Sequence, residues 1–428
     1  MARDAQRDQS HAAGAPSFAL ASPTMSAPEF VFNPFDPDFP RNPYPHYAAL
    51  RTSSPVARMD FGPVLLTRYD DVLRVLRDSS LSVEQRNALI SMPMQEEMIA
   101  KAGDRSRGSR TMLNLDPPDH DRLRRLVAKA FTPKTIDGLA PLCRGLVDDA
   151  LARAEADGGM DVIADLAFPL PFTVISEMLG MPVDRRDELR QWSSALVTTL
   201  DPIFSMEQFE AALVAGDAMT EYVLEVIEAK RTQPGDDLLS ALIAAEDHGD
   251  MLDEQELIDQ VILLYVAGHE TTVNLIGNGV LALLRHPDQA DRLRTDEGLD
   301  QNAVDELLRY DPPVQFSGRI ATSDFDIDGV EITKGSFLMT GLAAANRDPA
   351  KWGPTADDLD LGRANAPSHT SFGSGVHHCL GAALARLEGR SAIPALVRRF
   401  PNLSLAADTL DYNGRFVLRG LVALPVTV

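Results

Sequence analysis

The segment from Asp253 to His286 constrains this chain most. Asp253 followed three residues later by Glu256 has the form of a capping box, and Pro287 closes the far end. About 33 helical residues at 1.5 Å each give a rod of ~50 Å, well beyond an average helix. The segment is apolar nearly all round, so it belongs in the middle of a protein with other elements packed on every side. A chain built around such a rod is mainly helical.

The flanking sequence agrees. Asp121–Phe131, Pro141–Ala156, Val162–Leu179 (broken near Pro169 and Pro171), Met206–Lys230 and Leu238–Glu246 place apolar residues at three- and four-residue spacing. Strand patterns are short: Val64–Thr67, Arg319–Leu342 and Phe416–Val428, with Asp328-Gly329 as a hairpin turn. The predicted fold class is mainly α with minor β sheets. Residues 1–28, rich in Ala, Ser, Gln and Pro and without periodicity, read as a disordered leader, with Met25 an alternative start. Residues 29–428 show no linker or repeat and read as a single domain.

Composition excludes several functions. A net charge of −23 argues against nucleic acid, which needs a basic face. No apolar run approaches the roughly 18–20 residues of a bilayer span, and the N-terminus lacks a signal-like stretch. Cys143 and Cys379 are the only cysteines, too few for a disulfide framework, so a cytoplasmic protein is expected.

Three near-matches fail on context. Gly277-Asn278-Gly279 with Ala282 imitates a dinucleotide fingerprint but lies inside a helix with no strand before it. His269-Glu270 opens like a zinc-protease helix, yet the second His position is Val273. Asp324, Asp326, Asp328 and Gly329 resemble a calcium loop whose twelfth position is Gly335 in place of a bidentate Glu.

The most informative stretch is Phe372-Gly373-Ser374-Gly375-Val376-His377-His378-Cys379-Leu380-Gly381. Its glycines permit unusual backbone angles and close approach to a flat ligand. Cys379 opens a helix over Leu380–Arg399, where the dipole and free N–H groups would lower a thiol pKa. Zinc binding by His377, His378 and Cys379 is unlike any zinc site, because three successive side chains cannot converge on one ion. On the central helix, Ala267-Gly268-His269-Glu270-Thr271-Thr272 has poor helix propensity, and Thr271 can bond back to the Ala267 carbonyl. From the residues alone, a packing notch and a functional groove are equally good readings.

The pattern Phe-x-x-Gly-x-x-x-Cys-x-Gly resembles the haem-ligand loop of the cytochrome P450 family, and the other motifs follow in family order from about residue 30 onward. The resemblance implies the cytochrome P450 fold, with haem b between the long helix and the Cys loop, and Cys379 as the axial iron ligand. It implies that Ala267 and Gly268 border the oxygen-binding groove and that Glu270 and Thr271, as the acid–alcohol pair, deliver protons. Thiolate ligation favours O–O cleavage. Phe372, Gly373 and Gly381 lie against the macrocycle, and His120, Arg124, Arg319 and His377 are similar to the haem-propionate ligands, donors suited to two carboxylates. Glu306 and Arg309 match a bracing Glu-x-x-Arg element, but Asp358 stands where the third member, an arginine, is expected.

The function implied is a monooxygenase, an oxidoreductase that hydroxylates or epoxidises a small, largely apolar substrate. Nothing in the chain supplies a flavin or a four-Cys iron–sulfur cluster, so electrons from NAD(P)H should arrive through separate proteins, a ferredoxin and its reductase. Arg122, Arg125 and Lys129 form a basic stripe suited to an acidic donor. A peroxide-driven enzyme and a non-catalytic haem sensor or helper protein are the alternatives; the first tends to lack the acid–alcohol pair and the second the Cys. The expected form is a cytoplasmic monomer with no membrane or nucleic-acid partner. The expected pocket walls are Leu81–Asn114, with Met92, Met94, Met98 and Met112, then Val261–Ala267, Val314–Ser317 and Phe416–Leu418.

Overall fold

The computed structural model describes residues 32–33, 36, 38–60, 62–89, 101, 110–129, 131–244 and 251–428. The expected leader at 1–28 and the methionines Met92, Met94 and Met98 lie outside the described residues. Phe32–Val428 forms one unit of internal contacts.

The central helix runs Glu254–Arg285 with both caps where the sequence puts them. The Asp253 carboxylate accepts from the Glu256 N–H (2.7 Å), and Glu256 accepts from the Asp253 N–H (3.1 Å). Two donors that would otherwise be orphaned are thereby satisfied. Gly277 and Gly279 prove to be packing residues. A Cβ at Gly277 would sit 2.5 Å from Ile163 Cδ1, and one at Gly279 would sit 3.0 Å from Ile393 Cδ1. The dinucleotide imitation is therefore the footprint of two helices pressed against the rod.

Around the rod pack Pro169–Leu179, Met206–Thr232, Asp300–Tyr310 and Ala382–Arg399, and Ala140–Asp157 packs on the first and last of these. The 162–179 segment breaks where Pro169 cannot donate: Val162–Ala167 forms one wide turn closed by Phe168 N–H to the Ile163 carbonyl (2.9 Å). As a helical run, Val162–Leu179 is long and apolar enough to cross a bilayer, which the sequence reading missed. It is 72 % buried inside the protein and serves as core.

Four short strands form a sheet in the order Val56–Arg58, Val64–Leu66, Phe337–Gly341, Phe316–Ile320. Its middle pair is parallel, with Val64 opposite Leu338. The hairpin Phe325–Ile327 and Val330–Ile332 turns through Asp328 (φ 55°) and Gly329 (φ 78°), both left-handed as its Asp-Gly turn requires. At the C-terminus only Pro425–Thr427 is a strand, and residues 416–424 follow an irregular path held by isolated bridges.

Candidate active site

The Cys loop folds on itself through backbone bonds. Cys379 N–H donates to the Phe372 carbonyl (2.9 Å), His378 N–H to Gly375 (3.1 Å) and Gly373 N–H to Thr370 (2.8 Å). Gly373 (φ 67°) and Gly375 (φ 72°) take left-handed angles, and a Cβ at Gly375 would lie 2.6 Å from the Leu76 carbonyl oxygen. A Cβ at Gly381 would meet nothing within 4 Å, so open space adjoins the loop there. The Phe372 ring is fixed between the Arg386 guanidinium (4.6 Å) and His369 (5.4 Å).

The following helix starts at Ala382, with Gly381 as its N-cap, and not at Leu380 as expected. Cys379 therefore stands outside the first turn. One side of it is exposed and the rest is crowded by protein, and this burial pushes the thiol pKa up. The Gly381 N–H and the Arg124 and Arg386 charges pull it down without overcoming the burial. The expected lowering by the helix terminus is thus corrected. A coordinated metal would reverse this, because coordination removes the proton outright. Cys143, buried among apolar residues, is pushed up to about 12 and is inert packing.

On the central helix the Thr271 hydroxyl donates to the Ala267 carbonyl at 3.0 Å, as expected. Ala267 is exposed and Thr271 half-buried, one turn apart on a face that protein leaves open. Gly268 turns elsewhere. A Cβ there would lie 2.9 Å from Ile175 Cγ1, so its smallness admits the 169–179 helix. Glu270 has a partner the sequence did not reveal: Arg415 Nη1 donates to its Oε2 at 3.2 Å. His269 is fully buried among the rings of Phe168, Phe172 and Tyr265. Its Nδ1 donates to the Tyr265 carbonyl (2.8 Å), and burial pushes its pKa down, so it sits there as neutral imidazole.

The four residues resembling propionate ligands do come together. The His120 and His377 ring centroids are 4.4 Å apart, and Arg124 Nη2 donates to the His378 carbonyl (2.7 Å) beside Cys379. His120 Nδ1 is held by Asp121 (2.8 Å), while its Nε2 is buried without a hydrogen-bond partner. Arg319 is 4 % exposed, and its hydrogen bonds reach the Gly318 and Leu76 carbonyls and the Ser317 hydroxyl, with no carboxylate among them. Burial pushes its pKa down to about 10, opposed by the charge of Asp116. That carboxylate is already bound to the Ser82 hydroxyl (2.5 Å) and the Val83 N–H (2.8 Å). A buried guanidinium without a bonded anion and an orphaned imidazole nitrogen are each costly. Together they fit an anionic group delivered from outside the chain, as haem carboxylates would be. His377 is a donor of a different kind from the two arginines. Burial first, then Arg319, His120 and Arg124, lower its pKa to about 4, so it offers a neutral N–H.

The bracing network is complete, which corrects the doubt over Asp358. Glu306 and Arg309 are fully buried and paired through two bonds (2.7 and 2.8 Å), and Arg363 Nε donates to Glu306 Oε1 at 3.1 Å. Asp358 contributes its backbone carbonyl, which accepts from both arginines (2.7 and 3.1 Å). The third arginine thus arrives five positions later, along a loop that carries no periodic signal. A second node joins Asp305 to His369 (3.2 Å) and Arg386 (2.7 Å), tying the brace to the Cys loop. Arg122 is also reassigned. It pairs with buried Glu256 on the central helix, so of the basic stripe only Arg125 and Lys129 remain exposed.

Two expected pocket walls meet: Gln315 N–H donates to the Val417 carbonyl (2.9 Å), and Phe316 stacks on Phe416 with centroids 4.3 Å apart. Of the methionines, Met112 is described and buried.

A cysteine on a glycine loop, an anion cradle beside it and a helix groove bearing a threonine hydroxyl define a haem-thiolate type of site. The cytochrome P450 family profile matches residues 64–297 and 299–411. The chain is 44 % identical to the vitamin D(3) 25-hydroxylase of Pseudonocardia autotrophica over 92 % of this chain and 96 % of that one. It is 40 % identical to the cytochrome P450 monooxygenase PikC of Streptomyces venezuelae, over 94 % and 95 %. Its structure matches that of P450BioI, solved with an acyl carrier protein bearing hexadec-9Z-enoic acid, with a TM-score of 0.83 at 36 % identity, covering 91 % of this chain and 99 % of that one. The chain belongs to the cytochrome P450 family. It is an oxidoreductase of the monooxygenase class, and membership implies a haem cofactor.

Proposed function

We propose that this protein inserts one oxygen atom from dioxygen into a largely apolar substrate, by hydroxylation or epoxidation, with electrons from NAD(P)H passed through a separate ferredoxin and reductase. The observation that carries the reading is the cradle beside the Cys loop, where His120 Nε2 and Arg319 are buried with no bonded anion of their own. Cys379 would ligate the iron, and Arg319, His120, His377 and Arg124 would take the propionates. Phe372, Gly373 and Gly381 would leave a flat surface for the macrocycle, with Ala267 on its other side. When bound, haem would supply the iron at which dioxygen is activated, using the electrons that the redox proteins deliver.

The chain's own residues manage protons and water. The Thr271 hydroxyl, fixed on the Ala267 carbonyl, presents its oxygen to the groove and can accept and pass on a proton. Glu270, one residue away, is the acid that resupplies it. Stacked Phe316 and Phe416 form an apolar wall that keeps water from the reacting carbon. One relative is named as a vitamin D(3) hydroxylase, and another was solved with an acyl carrier protein bearing hexadec-9Z-enoic acid. An extended, mostly hydrocarbon substrate is therefore our reading here. The protein acts as a monomer in the cytoplasm, with an acidic electron donor docked near exposed Arg125 and Lys129.

The test is reconstitution. Haem-loaded protein is screened by substrate-induced spectral shift against vitamin D3, hexadecenoic acid and a macrolide. The best binder is then turned over with NADPH, ferredoxin and reductase under oxygen-18 gas. One labelled oxygen per product is expected, and product formed without the redox proteins, or without label, overturns the reading.

A further inference from the structure

We propose that Arg415 is a positioning residue for this reaction. Its guanidinium fixes the Glu270 carboxylate at the groove, and it does so only while the end of the helix Arg186–Thr198 is seated on the C-terminal loop. This deepens the reading of Glu270 as the proton relay and rests on it.

Three separate parts of the chain meet at this guanidinium. Nη1 donates to Glu270 Oε2 on the central helix (3.2 Å). Nη2 donates to both the carbonyl (3.0 Å) and the hydroxyl (2.6 Å) of Ser194, near the end of the 186–198 helix. The Arg415 backbone N–H is held by its own loop, through Asn413 Oδ1 (3.2 Å). A planar fork with several donors can serve two elements at once, which a single ammonium cannot. Seven residues beyond Ser194, Asp201 doubles the link. Its carboxylate accepts from the Phe416 N–H (3.1 Å) and from the Val417 N–H (2.7 Å). Burial raises the Asp201 pKa while those two backbone bonds lower it.

The loop held in this way carries Phe416, whose ring stacks on Phe316 and which the proposed function assigns to the pocket wall. The Glu270 and Arg415 side chains are only 15 % and 14 % exposed, so neither charge can be released cheaply to water. Lifting the 194–201 segment removes two of the Arg415 bonds and the Asp201 bonds to the Phe416 and Val417 N–H groups. The acid then loses the partner that holds it at the groove. Shifting Glu270 in turn loosens the loop, because coupling between two sites is reciprocal. A substrate pressing on Phe416 therefore acts on the proton relay through a continuous set of bonds.

The test uses the full-length, haem-loaded protein and four forms: parent, Glu270→Gln, Arg415→Gln and the double variant. Hydrogen exchange at the Phe416 and Val417 amides reads the Asp201 anchor directly, without reference to activity. Exchange there should be roughly 3- to 10-fold faster in both single variants. The double variant should be no faster than Arg415→Gln, because one linkage is lost in each. Exchange unchanged in Glu270→Gln, or additive in the double variant, overturns the link. Asp201→Asn, which removes no hydrogen bond of Glu270 or Arg415 although the Asp201 charge is felt by Arg415, is the second handle. It should lower product per NADPH about 2- to 3-fold for the best-binding probe of the spectral screen, without loss of haem, and an unchanged ratio also counts against the proposal. The relay reading fails separately. If Glu270→Gln turns over like the parent while exchange still responds, the linkage stands and the role of Glu270 as relay falls.

Discussion

Replacing Arg363 with Ala should destabilise the protein by about 3–4 kcal/mol, although the family's expected arginine position is 358, an aspartate here. Arg363 makes three sound hydrogen bonds: to Glu306 Oε1 (3.1 Å), the Thr355 carbonyl (2.8 Å) and the Asp358 carbonyl (3.1 Å). Each involves a charged donor and is worth about 1.5–3 kcal/mol net. The simple total overshoots, because Glu306 keeps its two bonds to Arg309 and the Asp360 N–H (2.9 Å), and water can enter a site 7 % exposed at the rim. The result falls near the lower end of the cost of breaking a buried pair, about 3–5 kcal/mol. Asp358→Ala should change stability by less than about 0.5 kcal/mol, because its exposed side chain plays no part and only its carbonyl is used. Arg363→Lys should recover about half the loss, keeping charge while losing the fork. Denaturant titration of haem-loaded protein, with haem retention on gel filtration, measures all three. Equal losses at Arg363 and Asp358 would show that the network is not what holds this region.

Cys379→Ser should abolish the red-shifted ferrous–carbon monoxide Soret band, whereas Cys143→Ala leaves it intact; a retained band in the first variant removes Cys379 as ligand. Thr271→Ala should keep haem and substrate affinity but release peroxide at the expense of product, and an unchanged product per NAD(P)H ratio refutes the catalytic assignment. Arg122→Glu should now lower stability by roughly 2–4 kcal/mol, since it places a carboxylate against buried Glu256; a variant of parental stability with weakened ferredoxin coupling would restore the docking role. Glu388 is fully buried beside Thr272, and burial raises its pKa from 4.5 to about 8. A folded pKa raised above the unfolded one gives a stabilising contribution present in full below pH 4.5 and lost as pH rises through about 8. Glu388→Gln should therefore gain on the parent by on the order of 2–4 kcal/mol between pH 5 and pH 9; parallel stability–pH curves would contradict this.

Local chemistry was legible in the sequence and long-range partnership was not. The central helix announced both its ends because capping uses residues three apart, and Asp253 and Glu256 bond as their spacing demands. The Thr271 back-bond is equally local, one turn long. The hairpin at Asp328-Gly329 needed only the preference of those residues for left-handed angles. The misses share the opposite property. Arg363 meets Glu306 across 57 positions, Arg122 meets Glu256 across 134 and Arg415 meets Glu270 across 145. A charge pattern on one helix gives no sign that its partner waits on another. Gly268 has a packing role that was hidden for a related reason. Its motif suggested ligand approach, while the contact that requires a glycine is with Ile175, from a helix far away in sequence.

The same distinction separates what assembles this site from what tunes it. The ligand loop, its glycines and the groove hydroxyl are short-range features, and they recur wherever this sequence pattern recurs. The thiol of Cys379 shows how far they go alone: its pKa is raised by burial, and the helix after it begins too late to reverse that. The cradle of His120 and Arg319 is likewise incomplete without an anion from elsewhere. Cofactor binding would relieve the cradle by supplying carboxylates to pair the guanidinium, whereas at Cys379 the metal must displace the thiol proton that burial favours. Part of the haem affinity thus comes from costs that the folded chain already carries, and haem should stabilise the fold by mass action as well as enabling catalysis. Substitutions that remove those costs without haem, such as Arg319→Leu, should raise the stability of the haem-free chain while weakening its hold on haem. That inverse response, measured by apoprotein denaturation and haem transfer to a scavenger protein, is the signature of a cradle built for its cofactor. A parallel loss of both would mean that Arg319 serves the fold alone.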